Sequence, residues 1–480
     1  MMQGTPSRAS EANRARNYNT HQSRAASTTA LSGPNPKAMF DRFAIMPFLA
    51  CSFALIISPL SGYITPGNHH AERLGEASLA PRLFWPVMAA TSILLIVQHR
   101  SRFAKLAWPP HIVCLLAYLA FAGASVLWAF SPPSSLVRFV QQVMIFTSVV
   151  LPAMLAPRTA DMMRGLFLCF ALASILNICL ILGGLYGTVD TVNCSASAFC
   201  YEGYFGGKNY LGECAAVTFL LSLYEIVHHG WRRALGAIVL VLAIVLIFLS
   251  DSKTALGLVI IAPTLAGLTL ALRRIMRVSP AIILLSLPLF YTIASHVSHV
   301  DLMSRIAFIL YHDSTLTGRT IIWDFAQKEI ERRSVVGWGY QSFWLVPGSP
   351  AYTEAPGWVR IMPNAHNGYY DIMLEMGYVG LVFLYAFIIA TLHGIGRVAD
   401  RDFARARHLL SLALFFIMWN YFESLWMRGF EFLWLMFLIV VAEIARYWRI
   451  VPVSTAAYRL RRRPPSAPPH QIRSQQIPAS

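Results

Sequence analysis

His366 and Arg319 are the residues of this chain best placed to do chemistry, one suited to moving a proton and the other to holding an anion. His366 lies in PNAHNGYYDIMLEMGYVG, residues 363–380. An imidazole, with an unperturbed pKa of about 6.5, can accept a hydroxyl proton near neutral pH. Arg319 lies in TGRTIIWDFAQKEIERR, residues 317–333. Its guanidinium fork suits phosphate oxygens and stabilises charge developing on them. Lys208 and Lys253 supply two further cations, and Asn209 sits beside the first. Asn367, Asp371 and Glu375 recur every fourth residue and so share one face of a helix. On that face Asp371 can orient His366 or a substrate hydroxyl, while Glu375 can hold a neighbouring helix. Tyr369 and Tyr370 offer two aromatic rings for stacking beside them.

Each of these residues also has a plainer reading. His366 can cap the helix that follows. Arg319 can pair with Asp313 or Glu354. The two lysines can snorkel to a membrane interface. The tyrosines, with Trp338, Trp344 and Trp358, fit an interfacial aromatic belt. Asp400-Arg401-Asp402 has the acidic spacing that nucleotide-sugar transferases use for a divalent ion, but its short loop leaves no room for a nucleotide domain, so it reads as solvated charge. No P-loop, dinucleotide fingerprint or HExxH occurs.

The elements that must position these residues are membrane helices. The chain has 480 residues, 56% of them hydrophobic and 13% charged, where ordinary globular usage is about 25% charged. Its apolar residues fall in continuous blocks of about 16 to 24, the length a helix needs to cross a hydrocarbon core of about 30 Å. Strands of a membrane barrel would instead alternate apolar and polar. The reading is an all-α polytopic membrane protein with about twelve spans, at roughly 43–60, 83–98, 111–130, 137–156, 165–186, 209–228, 234–250, 254–272, 279–297, 369–392, 407–424 and 429–447.

Residues 1–40 and 448–480 read as disordered cytoplasmic tails, the second carrying Arg461, Arg462 and Arg463. Between them, spans 1–9 occupy 41–297 and spans 10–12 occupy 369–447, separated by a long loop, 298–368. With the N-terminus inside, 27 Lys and Arg fall on the inner side and 12 on the outer, six of those 12 within the long loop. That asymmetry places both termini in the cytoplasm and the loop outside. The net charge of +16 then reflects basic inner loops facing anionic lipids, not nucleic acid. Five of the seven cysteines lie in or beside apolar segments, whereas Cys194 and Cys200 share the outward loop 187–208, where a disulfide can form; paired and free states both fit the spacing.

Long loops in membrane proteins are usually functional. Here Thr317 can cap a helix through residue 333, with Ile322, Phe325, Ala326 and Ile330 on one apolar face that lies on the membrane or covers a cavity. The order of Gly318-Arg319 and Trp323, then Gly337 and Gly339, then Ala365-His366-Asn367, Tyr369, Glu375, Gly377 and Gly380 resembles the O-antigen ligase and polymerase (Wzy-type) superfamily. GGKNYLGE (206–213) resembles that family's Asn-containing segment. SDSKTALG (250–257) resembles its Ser-Arg segment, with Lys253 where Arg is usual. The resemblance covers roughly residues 110–440 and is nearest to rhizobial-type exopolysaccharide polymerases.

The resemblance implies a GT-C-like glycosyltransferase that uses no nucleotide or metal. Its donor would be an oligosaccharide on an undecaprenyl-diphosphate-type lipid, transferred on the periplasmic face of the bacterial inner membrane. It implies His366 as base and Arg319 as diphosphate clamp. Lys208, Asn209, Lys253, Asn367, Tyr369 and Asp371 would bind substrate. It also implies a chain-length-control protein as partner. A ligase to lipid A core would use similar residues. A glycolipid flippase is the alternative of another class, and it predicts charge within the spans where this chain gathers charge at their outer rim.

Overall fold

Helix starts are written locally in this chain. Asp41, Asp161, Ser252, Asn367 and Asp402 each accept a backbone N–H from the first turn of the helix they precede. A cap of this kind satisfies donors that no helix can satisfy for itself. The computed structural model describes residues 41–64, 79–157, 160–185, 188–190, 200–298 and 319–449. The first expected tail, the second beyond Arg449, Asp313, the Thr317 cap, Gly318 and Cys194 lie outside the described residues.

Each expected span coincides with a helix. In chain order these are α1 (Arg42–Ile64), α2 (Leu79–Gln98), α3 (Pro110–Ala124), α4 (Pro132–Leu155), α5 (Met162–Leu182), α6 (Lys208–Ile226), α7 (Trp231–Leu249), α8 (Lys253–Met276) and α9 (Pro280–Ser298). The loop helix α10 (Arg319–Arg332) follows, then α11 (Gly368–Ala399), α12 (Phe403–Trp419) and α13 (Phe432–Arg446). Val189–Asp190 and Cys200–Tyr201 form one short antiparallel pair. Cys200 is buried and disulfide-bonded, and the other five described cysteines are free.

Eight of these helices are long and apolar enough to cross a membrane. The protein is an all-α polytopic membrane protein. α12 and α13 are shorter, with 17 and 15 residues. Every residue of α13 is buried, with α1, α3, α4, α11 and α12 against it. Phe416 on α12 stacks on Phe437 of α13 at 4.4 Å between ring centres. A helix enclosed by others need not match the bilayer with its own length.

The Asp-x-Asp triplet has structural partners at the other end of α11. Asp400 pairs with Arg273 at 2.8 Å, and Asp402 caps α12.

The loop between α9 and α11 has a core of its own. Ile322, Phe325, Ala326 and Ile330 of α10 pack with Trp338, Phe343, Trp344 and Val359 and with Leu374 of α11. The apolar face of α10 is therefore turned onto the protein and not onto a lipid surface.

One backbone exchange fixes this loop to α11. At Gly377 (φ 63°, ψ −165°) the helix breaks. Tyr378 and Val379 donate instead to the carbonyls of Ser334 and Val335, at 2.8 and 3.2 Å. The orphaned carbonyls of Leu374 and Glu375 accept from Trp338 and Gly339, both at 2.8 Å. Four backbone groups released by the break are thus re-paired with the loop, as burial requires. A β-carbon at Gly377 would sit 2.2 Å from the Val335 carbonyl oxygen, and one at Gly337 would sit 2.5 Å from the backbone of Glu375 and Met376. Only glycine allows so close an approach at positive φ.

Candidate active site

Three sequence segments meet on one carboxylate. Glu423, in the turn between α12 and α13, accepts from His366 Nδ1 at 2.8 Å on one oxygen. Its other oxygen accepts from the Arg319 guanidinium at 2.9 Å and from Asn209 Nδ2 at 3.1 Å. His366 sits at the entrance to α11, Arg319 at the start of α10 and Asn209 in the first turn of α6. The His366 backbone is left-handed (φ 48°), and its N–H is held by the Asn364 side chain at 2.9 Å. Such a conformation costs a non-glycine residue on the order of 1 kcal/mol and persists where surroundings enforce it.

Burial alone would push the Glu423 carboxyl up. The hydrogen bond and charge of His366, the Arg319 guanidinium and the Asn209 amide outweigh it, and the group lies below its usual range. An ionised carboxylate needs a donor, so the proton of a neutral imidazole resides on Nδ1 and the Nε2 lone pair is left as acceptor. That nitrogen takes no hydrogen bond from any described residue, and the His366 side chain is 30% exposed. The arrangement is an imidazole with a carboxylate behind it and a guanidinium at its side, a geometry that suits a general base.

The two lysine segments face each other nearby. Lys208 lies 3.5 Å from Asp251. A β-carbon added to Gly212 would meet the Ser252 side chain at 2.6 Å, so α6 and the start of α8 are in close contact there. Lys253, exposed, begins α8.

The remaining expected site residues serve the fold around this centre. Asn367 caps α11 through the N–H groups of Tyr369 and Tyr370. Tyr369 is buried, and its hydroxyl donates to the Ile417 carbonyl at 3.0 Å. Tyr370 stacks on Trp323 at 5.9 Å, and Trp323 donates to the Ala365 carbonyl. Asp371 accepts from Trp344 Nε1 at 2.7 Å and from the Ala365 N–H at 3.1 Å, and pairs with Arg428 at 2.9 Å. Glu375 pairs with the same guanidinium at 2.8 Å. The carboxylate beside His366 is therefore Glu423, not Asp371. Glu354 pairs with Arg332 and not with Arg319.

A sequence model of the O-antigen ligase family (Wzy_C) matches residues 238–385. The chain is also 27% identical, over 332 residues, to the exopolysaccharide production protein ExoQ of Rhizobium meliloti (strain 1021), covering 64% of this chain and 70% of that one. Both comparisons support the O-antigen ligase/polymerase superfamily as what this chain is similar to.

The family match contains Lys253, Arg319, His366, Asp371 and Glu375. Lys208 and Asn209 precede it, and Glu423 and Arg428 follow it. Sequence reasoning missed Glu423 altogether and saw Arg428 only as an outer charge. The expected span at 407–424 runs across Glu423, whereas α12 stops at Trp419. Asn420 ends it, with its side-chain oxygen accepting from the N–H groups of Leu425 and Trp426, both at 3.0 Å. A usable signal was present in three charged residues, Glu423, Arg428 and Glu431, within one short turn between apolar helices, a costly placement unless they are paired or functional.

Proposed function

We propose that this protein is a polysaccharide polymerase of the exopolysaccharide or O-antigen type. It transfers glycan repeat units from an undecaprenyl-diphosphate-type lipid on the periplasmic face of the bacterial inner membrane. The observation that carries this reading is the convergence of His366, Arg319 and Asn209 on Glu423. The family match, the exopolysaccharide role in the name of the relative and the charge asymmetry of the loops support the rest. In this arrangement residues 298–368 form the periplasmic catalytic loop, and both termini are cytoplasmic.

The step balances as follows. The acceptor hydroxyl oxygen bonds to the anomeric carbon, and its proton passes to His366 Nε2. The bond from that carbon to the diphosphate oxygen breaks, and its electron pair leaves with the lipid diphosphate. Glu423 keeps the imidazole in the accepting tautomer and stabilises the imidazolium that forms. Arg319 spends one N–H on Glu423 and has others for the diphosphate. Lys208 and Lys253 lend further positive charge at the membrane edge. The proton then returns from the imidazolium to the diphosphate or to water. No step passes through a nucleotide or a metal.

The test is the purified protein in liposomes with a defined lipid-diphosphate oligosaccharide, read as a ladder of extended glycans. Extension by the wild type and none by His366→Ala is the expected result. A folded wild type that leaves single repeats unextended overturns the proposal. A ligase reading is favoured by the description of the matched family. It predicts instead that cells lacking the protein accumulate lipid-linked polymer, where a polymerase defect leaves single repeats. A flippase would move the glycolipid between leaflets without forming a glycosidic bond.

A further inference from the structure

We infer that Arg428 is a positioning residue that sets the His366–Glu423 pair, acting through Asp371. This rests on the proposed transfer reaction. The two members of the pair come from segments with no covalent proximity. His366 follows Ala365 at the end of the long loop, and Glu423 precedes Arg428 in the short turn between α12 and α13. Asp371 touches both segments. One of its oxygens takes the N–H of Ala365 at 3.1 Å and Trp344 Nε1 at 2.7 Å, and the other lies 2.9 Å from Arg428. A single buried carboxylate, 1% exposed, thus joins the residue before His366 to the turn that carries Glu423.

The same guanidinium reaches Glu375 at 2.8 Å, one helical turn further along α11. Both contacts fall on one terminal nitrogen of the guanidinium, so Arg428 sets a single buried positive charge between the two carboxylates. Without Arg428 the two acids would face each other in a buried site with no counter-charge between them. The turn is also held at the neighbouring residue. The Met427 carbonyl accepts from Gln142 Nε2 at 3.0 Å, Tyr340 Oη at 2.6 Å and Gln341 Nε2 at 2.7 Å. Met427 itself is left-handed, with φ 51°. Five polar contacts on two consecutive residues, none of them to the His366–Glu423 pair itself, fix the turn against α11, α4 and the loop. Displacement of about 1 Å at a reacting group can cost about 10²-fold in rate, which is the scale at which this clamp would act.

The experiment compares wild type, Arg428→Met and Arg428→Lys, each also in a Glu423→Gln background. All are purified in detergent and assayed on the lipid-diphosphate oligosaccharide. The expected result is a kcat about 10²-fold lower for Arg428→Met with KM for the donor within about 2-fold. Arg428→Lys should recover part of the loss, and in the Glu423→Gln background Arg428→Met should cost under about 3-fold. An equal loss in both backgrounds, or a folded Arg428→Met with wild-type kcat, overturns the inference. Should Arg428→Met fail to fold, the lysine variant carries the same comparison, because it keeps the charge and changes only the reach and shape of the group that carries it. A wild type without transferase activity would sink the function itself, an outcome distinct from either.

Discussion

His366 and Glu423 are 57 residues apart in the chain and 2.8 Å apart in the fold, imidazole Nδ1 to carboxylate Oε2. This contact fixes which nitrogen of a neutral imidazole is left to meet a substrate, which is what the proposed base requires.

Replacing His366 with Ala should lower transfer about 10²- to 10⁴-fold, the range that a positioned acid–base group contributes. Folding should be unaffected, since the ring is partly exposed and the cap of α11 belongs to Asn367. Turnover of purified protein beside its gel-filtration profile checks both halves.

Arg319 should respond to charge and to shape separately. Arg319→Ala removes the donor and leaves Glu423 short of one partner; Arg319→Lys keeps the charge but not the fork. Activity should fall in the order wild type, Lys, Ala. A lysine variant as active as wild type would show that geometry is irrelevant at this position.

Two acids of the same turn should give opposite pH signatures in stability. The folded Glu423 carboxyl lies below its ordinary 4.5. Its contribution is therefore present above about pH 4.5 and lost as pH falls through the lowered folded value. Glu423→Gln should flatten the acid side of a stability–pH curve. Glu431 is pushed up to about 7, with burial as the main cause, Arg428 opposing and the charge of Glu423 adding. Between about pH 4.5 and 7 the folded state keeps a proton that the unfolded chain releases, so stability falls across that window as pH rises. Glu431→Gln should remove the fall, worth up to about 3 kcal/mol. Thermal unfolding in detergent at about pH 3, 4.5 and 8 separates the two variants, Glu423→Gln acting between the first two and Glu431→Gln between the last two.

The break in α11 gives a prediction about folding alone. Gly377→Ala and Gly337→Ala force a β-carbon into backbone at 2.2 and 2.5 Å in left-handed conformations. Each should destabilise by about 2 to 5 kcal/mol. Gly357→Ala, also at positive φ but with nothing within 4 Å, isolates the conformational part alone and should cost about 1 kcal/mol. Equal losses at all three sites would show that the crowding does not matter.

The sequence was legible wherever structure is local. Hydrophobic blocks gave the helices, because a backbone in lipid has few other solutions. The apolar face of α10, Ile322, Phe325, Ala326 and Ile330, could be read from its spacing, and all four residues are buried. What that face covers could not be read, because its partners Trp338, Phe343 and Trp344 lie in the turns that follow. The run from Phe415 to Trp434 is so apolar that Glu423 looked like the edge of a span. The end of α12 is decided at Asn420, whose side-chain oxygen satisfies the N–H groups of Leu425 and Trp426 once the turn has folded back.

The sequence by itself determined that this chain crosses a membrane many times, that one long loop interrupts the helices, and that His366 and Arg319 stand in a motif order resembling that of a known superfamily. Those facts follow from composition, period and order along the chain. Only the tertiary structure decided that Glu423 gathers His366, Arg319 and Asn209, that Arg428 ties Asp371 to Glu375, and that Gly377 opens α11 to receive the loop. The reason is physical. A buried carboxylate or an orphaned carbonyl takes whatever partner the packing brings within about 3 Å, and packing brings together residues whose separation along the chain carries no trace of it.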